Sequence, residues 1–326
     1  MDGFKRKWVV AIDLGGTTTK LAFFNHSGKM IKKWKISTDK RNAGQYILDN
    51  IVTSIDKQLQ QLKVDKEILT GIGMGAPGPV HLEQGLLYNA INLGWEKNYP
   101  LKKLLEKKMN LPVAVENDAN CAALGEFWKG IGQHSKDLIF VTLGTGVGGG
   151  IISNGKLVRG VHGAGGEIGH ITVIPKNGYR CNCGKIGCLE TVASAKGIQR
   201  ITKQLLASKK EKSMLSDKYF TVKDVFNAAK QCDPTASEVV DTFSFYLGLT
   251  LANIGNIFNP EIIILGGGIA KAGDFLVKKV QPYFENYAFP TVRDSTVISL
   301  TDLGNDAGVF GACRLILNQM MKSKKM

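Results

Sequence analysis

A pattern of strands and Gly-rich turns occurs twice in this sequence, and the two copies set the frame of any fold it can adopt. Residues 9–29 read VVAIDLGGTTTKLAFFNHSGK, and residues 139–156 read IFVTLGTGVGGGIISNGK. Each copy predicts a strand, a turn rich in Gly and Thr, a second strand and a small turn before a Lys. The predicted strands are Trp8 to Leu14, Lys20 to Asn25, Leu138 to Leu143 and Ile151 to Ser153. The repeat predicts two related α/β domains that face each other.

The remaining segments complete the predicted fold. Apolar periodicity predicts a helix over residues 42–62, and apolar runs predict strands over residues 67–75, 113–116 and 262–265. A helix follows residue 118 up to about Trp128, the chain is mainly helical from residue 192, and a last helix runs from residue 306 to 321. We predict a small N-terminal lobe of residues 1–118 plus 306–326, and a larger C-terminal lobe of residues 119–305.

The chain is basic, with a formal net charge of +14 over 326 residues. Its Lys pairs lie on predicted amphipathic helices and at the C-terminus, without the interleaved aromatic residues of a base-stacking groove. A solvated surface therefore explains the charge, and we expect no nucleic-acid partner. No apolar run approaches the roughly 18 to 20 residues that span a bilayer, and the apolar stretch after Lys7 is too short for a signal peptide. We expect a cytoplasmic protein without a membrane partner.

Two segments match the spacing G-x-G-x-x-G, beginning at Gly73 and at Gly144. A dinucleotide fingerprint requires a helix directly after the glycines, and neither segment has one. A Walker-type loop, G-x-x-x-x-G-K-[ST], does not occur in the sequence. The two repeated turns are the better phosphate candidates, because backbone amides and hydroxyls can surround phosphate oxygens and Asp13 can hold a magnesium ion. The alternative interpretation, an ordinary tight hairpin, explains one such turn well. It explains a second copy at the matching position less well, and two such turns could clamp a triphosphate.

Asp118 is the candidate catalytic group. It stands where a predicted buried strand ends and a helix begins, in the run Glu116-Asn117-Asp118. Ligands of open α/β sheets bind at the carboxyl ends of strands, where a carboxylate can act as a general base. Asp is also a favoured helix N-cap. The pattern alone leaves both interpretations open.

Three of the six cysteines lie within eight residues, at Cys181, Cys183 and Cys188, and His170 precedes them by eleven positions. Thiolates and an imidazole form the ligand set of a structural zinc ion, and four protein ligands leave no open position for catalysis. Three buried cysteines are the alternative interpretation. The other cysteines are interpreted as core or helix residues.

Several motifs together resemble a known family. The runs DLGGTTTK, TLGTGVGGG and LGGGIA are similar to the phosphate and adenosine motifs of actin-like ATPase-fold sugar kinases. The runs ENDANCAALGE, GEIGHI and CNCGKIGCLE are similar to the ROK family, which includes repressors and kinases, and most resemble its bacterial glucokinases. The resemblance covers about residues 8 to 313. It implies a duplicated two-lobe actin-like (ribonuclease H-like) α/β fold with a central ligand cleft, and a homodimer.

The resemblance also implies roles for individual residues. Asp118 is the implied base that activates the 6-hydroxyl of a hexose, glucose above all, toward ATP with Mg²⁺. The implied hexose ligands are Gly75, Gly78, Asn92, Asn117, Asp118, Glu167, His170 and Glu190. The nucleotide-binding candidates are Asp13, Gly15, Gly16, Thr17, Thr18, Lys20, Thr145, Gly146, Gly266, Gly267 and Gly268. The implied zinc ligands are His170, Cys181, Cys183 and Cys188.

Other functions stay open at this point. A kinase of the same family for N-acetylmannosamine, N-acetylglucosamine or fructose would share the motifs, because the choice of sugar depends on space near C2. The phosphate donor could be polyphosphate or ADP in place of ATP. A sugar-responsive regulator is disfavoured, because only twelve residues precede Asp13 and a helix-turn-helix module needs more.

Overall fold

A computed structural model describes residues 7–81, 83–90, 93–208, 212–216 and 219–323. Its strands are β1 (Trp8–Leu14), β2 (Thr18–Asn25), β3 (Met30–Ser37), β4 (Leu69–Ala76), β5 (Val80–His81), β6 (Leu86–Leu87), β7 (Val113–Asn117), β8 (Leu138–Leu143), β9 (Val147–Ser153), β10 (Lys156–Leu157), β11 (Ile262–Gly266) and β12 (Val297–Leu300). Its helices are α1 (Arg41–Gly44), α2 (Ile47–Leu62), α3 (Leu101–Met109), α4 (Asp118–Lys129), α5 (Glu190–Ala193), α6 (Ala195–Ser208), α7 (Val222–Lys230), α8 (Pro234–Phe258), α9 (Asp274–Tyr287), α10 (Pro290–Ser295) and α11 (Ala307–Ser323).

Two five-stranded sheets repeat one topology. The first has the order β3-β2-β1-β4-β7, and the second has the order β10-β9-β8-β11-β12. In each sheet an antiparallel hairpin, β1–β2 or β8–β9, is followed by two strands parallel to its first strand. The internal repeat predicted from the sequence is therefore present in the fold.

The chain divides into two compact units, Met1–Gln133 with Leu157–Gly165 and Asn305–Met326, and His134–Lys156 with Gly166–Gly304. These packing units do not test the lobe border predicted at residue 118, which stays a prediction. The first packing unit extends beyond residue 118 because α4 packs against α11.

The central strands of the first sheet, β1 and β4, are buried on both faces, as their nearly continuous apolar sequences require. Alternate residues of β1 point to opposite faces: Val10 and Ile12 pack in one apolar cluster with residues of α2 and α3, while Val9 and Ala11 pack in another with residues of α11. Helix α2 presents its buried residues at four-residue intervals, at Ile47, Ile51, Ile55 and Leu59. Both packed faces fix the sheet and therefore the ends of its strands.

The second unit has a helical core beside its sheet. Helix α8 begins at Pro234, after an N-cap in which the Asp233 carboxylate accepts from the Ala236 amide. Its buried residues include Val239, Phe243, Leu247 and Leu251, and it packs mainly against α9. Among the described residues, no helix has the length and apolar character needed to cross a membrane.

Three details differ from the sequence-based expectations. Strand β9 begins at Val147 rather than Ile151, since its glycines pair with β8 over Gly148–Gly150. The helix predicted from residue 42 is interrupted, because Asn42, Ala43 and Gly44 adopt left-handed backbone conformations and α2 begins only at Ile47. The sequence analysis also missed β12, which has four residues and pairs in parallel with β11.

Candidate active site and metal cluster

In the first unit, three predicted site segments meet at the carboxyl ends of neighbouring strands. Asp13 on β1 pairs with Gly75 on β4, and Gly75 pairs with Glu116 on β7. A Cβ atom at Gly75 would lie 3.2 Å from the side chain of Cys121 and 3.5 Å from the Cα atom of Asp118. Glycine at this position therefore lets β4 approach the first turn of α4.

The junction between β7 and α4 separates the two interpretations of Asp118. Asn117, not Asp118, is the N-cap of α4: its side-chain oxygen accepts hydrogen bonds from the amides of Ala119 at 2.9 Å and Asn120 at 3.1 Å. Asp118 is the first helical residue, partly exposed, and its Oδ1 accepts from the Ala119 amide at 2.8 Å. The capping role is therefore filled by its neighbour.

Asn117 also connects this junction to the turn after β4. Its Nδ2 atom donates to the carbonyl oxygen of Gly78 at 3.2 Å. Gly78 has a φ of 93°, a left-handed conformation that favours glycine, and a Cβ atom there would lie 2.4 Å from the Asn89 carbonyl oxygen. The structure thus brings Gly75, Gly78, Asn117 and Asp118 together. Asn92 lies outside the described residues.

The sequence analysis missed a buried ion pair at the same strand end. Glu116 is 1% exposed, and its Oε2 atom lies 2.6 Å from the Nε atom of Arg159. Its Oε1 atom accepts from the Asn117 amide at 2.9 Å and from Asn120 Nδ2 at 3.1 Å. Glu116 thus holds the backbone amide of the residue before Asp118 and the side chain of Asn120 in the first turn of α4. Its place in the run ENDAN was a signal, whereas Arg159 stands 43 positions later in irregular chain.

A fully buried thiol lies behind this junction. Cys121 is 0% exposed, and burial is the main cause that raises its pKa well above the ordinary value. The negative charges of Glu116, Asp13 and Asp118 raise the pKa further, and the positive charge of Arg159 lowers it. These three carboxylates stand at the carboxyl ends of β1 and β7 and at the start of α4. The strand ends of this unit therefore form an acidic corner.

The first repeated turn is closed by its own hairpin. The Gly15 amide donates to the Thr18 carbonyl oxygen at 3.2 Å, and Thr38 Oγ1 donates to the Gly15 carbonyl oxygen at 2.7 Å. Lys20 Nζ lies 2.9 Å from Asp13 Oδ2 and also donates to the Asn305 carbonyl oxygen at 2.8 Å. Thr17 at the tip is exposed. The predicted nucleotide-binding residues of this turn therefore lie together, with a cation and a carboxylate beside them.

The second repeated turn is held from outside its hairpin. Its tip residue Thr145 is exposed, and the Gly144 amide donates to the Gly146 carbonyl oxygen at 3.0 Å. Glu190 Oε2 accepts from the Val147 amide at 3.1 Å. The predicted hexose ligand Glu190 thus contacts the predicted phosphate turn.

The glycines after β11 lie beside this second turn. Gly267 has a φ of 84°, and a Cβ atom there would lie 2.4 Å from the Leu143 carbonyl oxygen, directly before Gly144. Gly266 packs on the ring of Phe140, so a Cβ atom would lie 2.6 Å from that ring. The structure therefore brings the Gly266–Gly268 segment to the strand that leads into the turn.

The predicted metal ligands also converge in the second unit. One ligand atom from each of His170, Cys181, Cys183 and Cys188 lies within 4.8 Å of all the others. His170 Nδ1 lies 3.5 Å from Cys181 Sγ, and Cys183 Sγ lies 3.6 Å from Cys188 Sγ. Sulfur atoms bound to one tetrahedral zinc ion lie about 3.8 Å apart, as follows from Zn–S bonds of about 2.3 Å. The donor set and its spacing therefore fit zinc.

Glycine makes the tight loop around the cysteines possible. Gly184 and Gly187 have φ values of 92° and 74°, and a Cβ atom at Gly187 would lie 1.7 Å from the Ile174 carbonyl oxygen. The Cys181 amide donates to the Lys185 carbonyl oxygen at 2.8 Å, which closes the loop. The backbone therefore brings the three thiols close to one another. None of these cysteines forms a disulfide, so all three thiols remain available as metal ligands.

His170 faces two groups with its two ring nitrogens. Nδ1 points to the cysteines, and Nε2 lies 3.9 Å from Glu167 Oε2. Burial raises the pKa of the Glu167 carboxyl, the positive charge of His170 opposes this, and the charge of Glu190 adds to it. Two of the predicted hexose ligands of the second unit, Glu167 and His170, therefore lie side by side.

Two sheets of one topology, each with a Gly/Thr hairpin turn at its first strand, define the class of actin-like ATPase and sugar-kinase folds. Within that class the chain belongs to the ROK family, whose family model matches residues 9–319. The fold class and the family expected from the sequence motifs are both confirmed.

Similar proteins include both kinases and repressors. A glucokinase from Halalkalibacterium halodurans is 49% identical over 323 residues, 98% of each chain. The crystal structure of a ROK family glucokinase from Streptomyces griseus in complex with glucose and AMPPNP matches with a TM-score of 0.79 and 32% identity, over 94% of this chain and 98% of that one. A xylose repressor from Caldicellulosiruptor bescii is 33% identical over 325 residues, 96% of this chain and 79% of the repressor.

Proposed function

We propose that this protein is an ATP-dependent hexokinase that converts glucose to glucose 6-phosphate. The observation that carries the proposal is the β7–α4 junction, where Asn117 takes the capping role and leaves Asp118 at the strand end as the acid–base candidate. The 49% identity to a glucokinase over nearly the whole chain supports glucose as the substrate. The glucokinase solved with glucose and AMPPNP supports ATP as the donor.

In the proposed reaction, Asp118 accepts the proton of the glucose 6-hydroxyl as that oxygen attacks the γ-phosphorus. The bond between the γ-phosphorus and its bridging oxygen breaks, and ADP leaves with that oxygen. Such a transfer depends on positioning and charge neutralisation more than on covalent help from the protein. Asp13 offers the oxygen ligand that Mg²⁺ prefers, beside the first turn. Bound Mg²⁺ would neutralise charge on the phosphates, and Lys20 would add a second positive charge.

The hexose-binding roles stay proposals, residue by residue. Asn117 and the Gly75–Gly78 turn would orient the sugar near Asp118, to which they are tied by the contacts above. Glu167, His170 and Glu190 would accept or donate hydrogen bonds to ring hydroxyls. A site built from paired polar groups discriminates strongly against analogues that leave those groups unpaired. An acetamido sugar or fructose would therefore be a poor substrate if glucose is the true one.

We propose that His170 and the three cysteines hold a structural zinc ion. His170 would bind it through Nδ1, and Nε2 would remain on the side of Glu167. Such an ion fixes the orientation of the imidazole and of the segments that carry its ligands. The metal would therefore act on sugar binding indirectly, through the positions of Glu167 and Glu190. A homodimer, expected from the family resemblance, also stays a proposal.

The proposed function is tested by an ADP-release assay with ATP and Mg²⁺ over a panel of glucose, mannose, fructose, N-acetylglucosamine and N-acetylmannosamine. We expect glucose to be turned over far faster than the others. Preference for an acetamido sugar would keep the chemistry and change the substrate. Absence of turnover for the whole panel, with folded and zinc-loaded protein, would refute the kinase assignment and favour a sugar-responsive regulator.

A further inference from the structure

The segment Glu190–Ala195 grips the second repeated turn at both of its ends. At the entry of the turn, the Ala195 amide donates to the Gly144 carbonyl oxygen at 2.8 Å. At its exit, the Glu190 Oε2 atom accepts from the Val147 amide at 3.1 Å. The Glu190 carboxylate and the Ala195 amide thus hold the turn Gly144–Gly146 from its two ends.

The close fit of Glu190 depends on the residue at the turn. A Cβ atom at Gly146 would lie 2.5 Å from Glu190 Oε2, too close for an unshifted carboxylate, whereas a Cβ atom at Gly144 would meet nothing within 4 Å. Glycine at position 146 is therefore needed to leave room for the Glu190 carboxylate, and not only for a bound ligand. A role for Glu190 in sugar binding alone does not account for this contact.

Two physical effects of Glu190 on a bound triphosphate oppose each other. Its negative charge repels the phosphates, and its hydrogen bond orders the turn that would bind them. A hydrogen bond to a charged acceptor is stronger than one between neutral groups, and ordering a turn before binding removes an entropy cost that binding would otherwise carry. Coulomb repulsion between solvent-accessible charges is weakened by water and counterions. Because Glu190 accepts a hydrogen bond from the turn while water and counterions weaken its repulsion of the phosphates, we expect the ordering effect to be the larger one.

We propose that Glu190 is a positioning residue for the nucleotide as well as a ligand for the sugar. Its carboxylate holds the second turn in the phosphate-binding conformation before any sugar is present. The inference rests on the proposed function, because it takes the second turn to bind the phosphates of ATP. It follows that a variant at Glu190 changes nucleotide affinity in the absence of sugar.

The test is the affinity of the full-length protein for AMPPNP with Mg²⁺ and no sugar, measured by isothermal titration calorimetry. Glu190→Ala removes the acceptor, and we expect about tenfold weaker binding, because the turn must then be ordered when the nucleotide binds. Glu190→Gln keeps a side-chain acceptor without the charge, and we expect it to stay within about threefold of the parent protein. This variant separates the hydrogen bond from the charge.

Glu167→Ala is the matched control, because Glu167 is a second predicted sugar carboxylate in the same unit. We expect it to weaken glucose binding and leave AMPPNP binding unchanged. Zinc content and circular dichroism of each variant show that the cluster and the fold are intact. Gly146→Ala, whose Cβ displaces the carboxylate, is expected to reproduce the effect of Glu190→Ala.

The outcomes separate this inference from the proposed function. Equal or tighter AMPPNP binding by Glu190→Ala, with normal binding by the parent protein, overturns the positioning role and leaves the kinase assignment in place. Equal weakening by Glu190→Ala and Glu167→Ala also overturns it, since the effect would then belong to the sugar site as a whole. No AMPPNP binding by the parent protein without sugar also overturns the positioning role, while the kinase assignment is decided separately by ADP release with sugar present.

Discussion

The two Gly/Thr turns occupy the same place in two sheets of the same topology, yet different parts of the chain hold them. The first turn is held by the Lys20–Asp13 ion pair of its own hairpin, by Thr38 directly after β3 and, through Lys20, by the Asn305 carbonyl oxygen. The second is fixed by Glu190, 43 positions beyond Val147, and by Ala195. Both turns keep an exposed Thr at the tip, Thr17 and Thr145.

This difference shows which parts of the duplicated fold are the same in both copies and which are particular to one copy. The hydrogen-bond ladders of the hairpins are copied, because they depend on backbone and strand pattern. The charged partners are not copied, since they depend on single side chains brought in by the surrounding chain. The first unit places a carboxylate at the end of β7, and the second places a Cys/His cluster before α5. The comparison can be tested by changing matched residues in the two units.

The largest effect is expected at Asp118, the proposed base, which directly follows β7. Asp118→Asn should lower kcat about 10²- to 10⁴-fold, the usual contribution of general base catalysis, with little change in glucose affinity. Asp302, which follows β12 in the second sheet and is exposed, is the matched position. Asp302→Asn should leave kcat unchanged. Steady-state kinetics of both variants would contradict the assignment if their kcat values fell equally.

The buried ion pair next to this base is expected to have the second-largest effect. Loss of one partner of a buried pair costs about 3–5 kcal/mol, and since the Arg159 side chain is 31% exposed we expect about 2–3 kcal/mol for Arg159→Met. Arg41, which is 83% exposed and paired with Asp39, is the control. Arg41→Met should leave the unfolding free energy nearly unchanged, because an exposed ion pair contributes little. Urea denaturation measures both values.

Loss of the metal cluster should lower stability in the second unit. Cys188→Ser should abolish stoichiometric zinc, measured by mass spectrometry of the purified protein. At a free zinc concentration 100 times its Kd, binding contributes about 2.7 kcal/mol, which corresponds to a fall in Tm of about 5–10 °C for a unit of this size. Cys232, an exposed cysteine outside the cluster, is the control, and Cys232→Ser should keep both zinc and Tm. Equal zinc content in the two variants would refute the assignment.

The smallest effect is expected at the first turn. Lys20→Met removes one positive charge beside the proposed phosphate site and should raise KM for ATP about tenfold, an energy of about 1.4 kcal/mol. Lys33→Met removes a Lys of the same unit that pairs with Asp306 at the surface, and should change KM less than about twofold. A KM for ATP that moves as much in Lys33→Met as in Lys20→Met would show that the effect is one of net charge.

The repeated strands were predictable because backbone pattern alone specifies them. Alternating and continuous apolar residues place β1, β8 and β11, and Gly with Thr marks the turns between paired strands. Strand β12 was not predictable, since its four residues include the polar Ser299 and its pairing with β11 is a tertiary interaction. The break before α2 was also hidden, because Asn42 and Ala43 are compatible with a helix in sequence but lie in left-handed conformations.

The candidate site was predictable in part for a similar reason. The Cys spacing and the strand–helix junction at Asp118 are local patterns, so the sequence alone suggests a metal cluster and a strand-end carboxylate. Asn117 as the N-cap was harder to predict, because two capping residues stand side by side and only the helix geometry chooses between them. The partnership of Glu116 with Arg159 joins residues 43 positions apart and has no local signature.

The fully buried Cys121 makes the acidic corner observable in solution. Its thiol lies behind Gly75 and Asp118 and is fully buried, so alkylating reagents react with it only when this part of the first unit opens. The rate of its modification in native conditions therefore measures the free energy of that local opening. Cys121 is therefore an internal probe of how stably the acidic corner is folded. A bound ligand that stabilises the corner should slow the modification of Cys121.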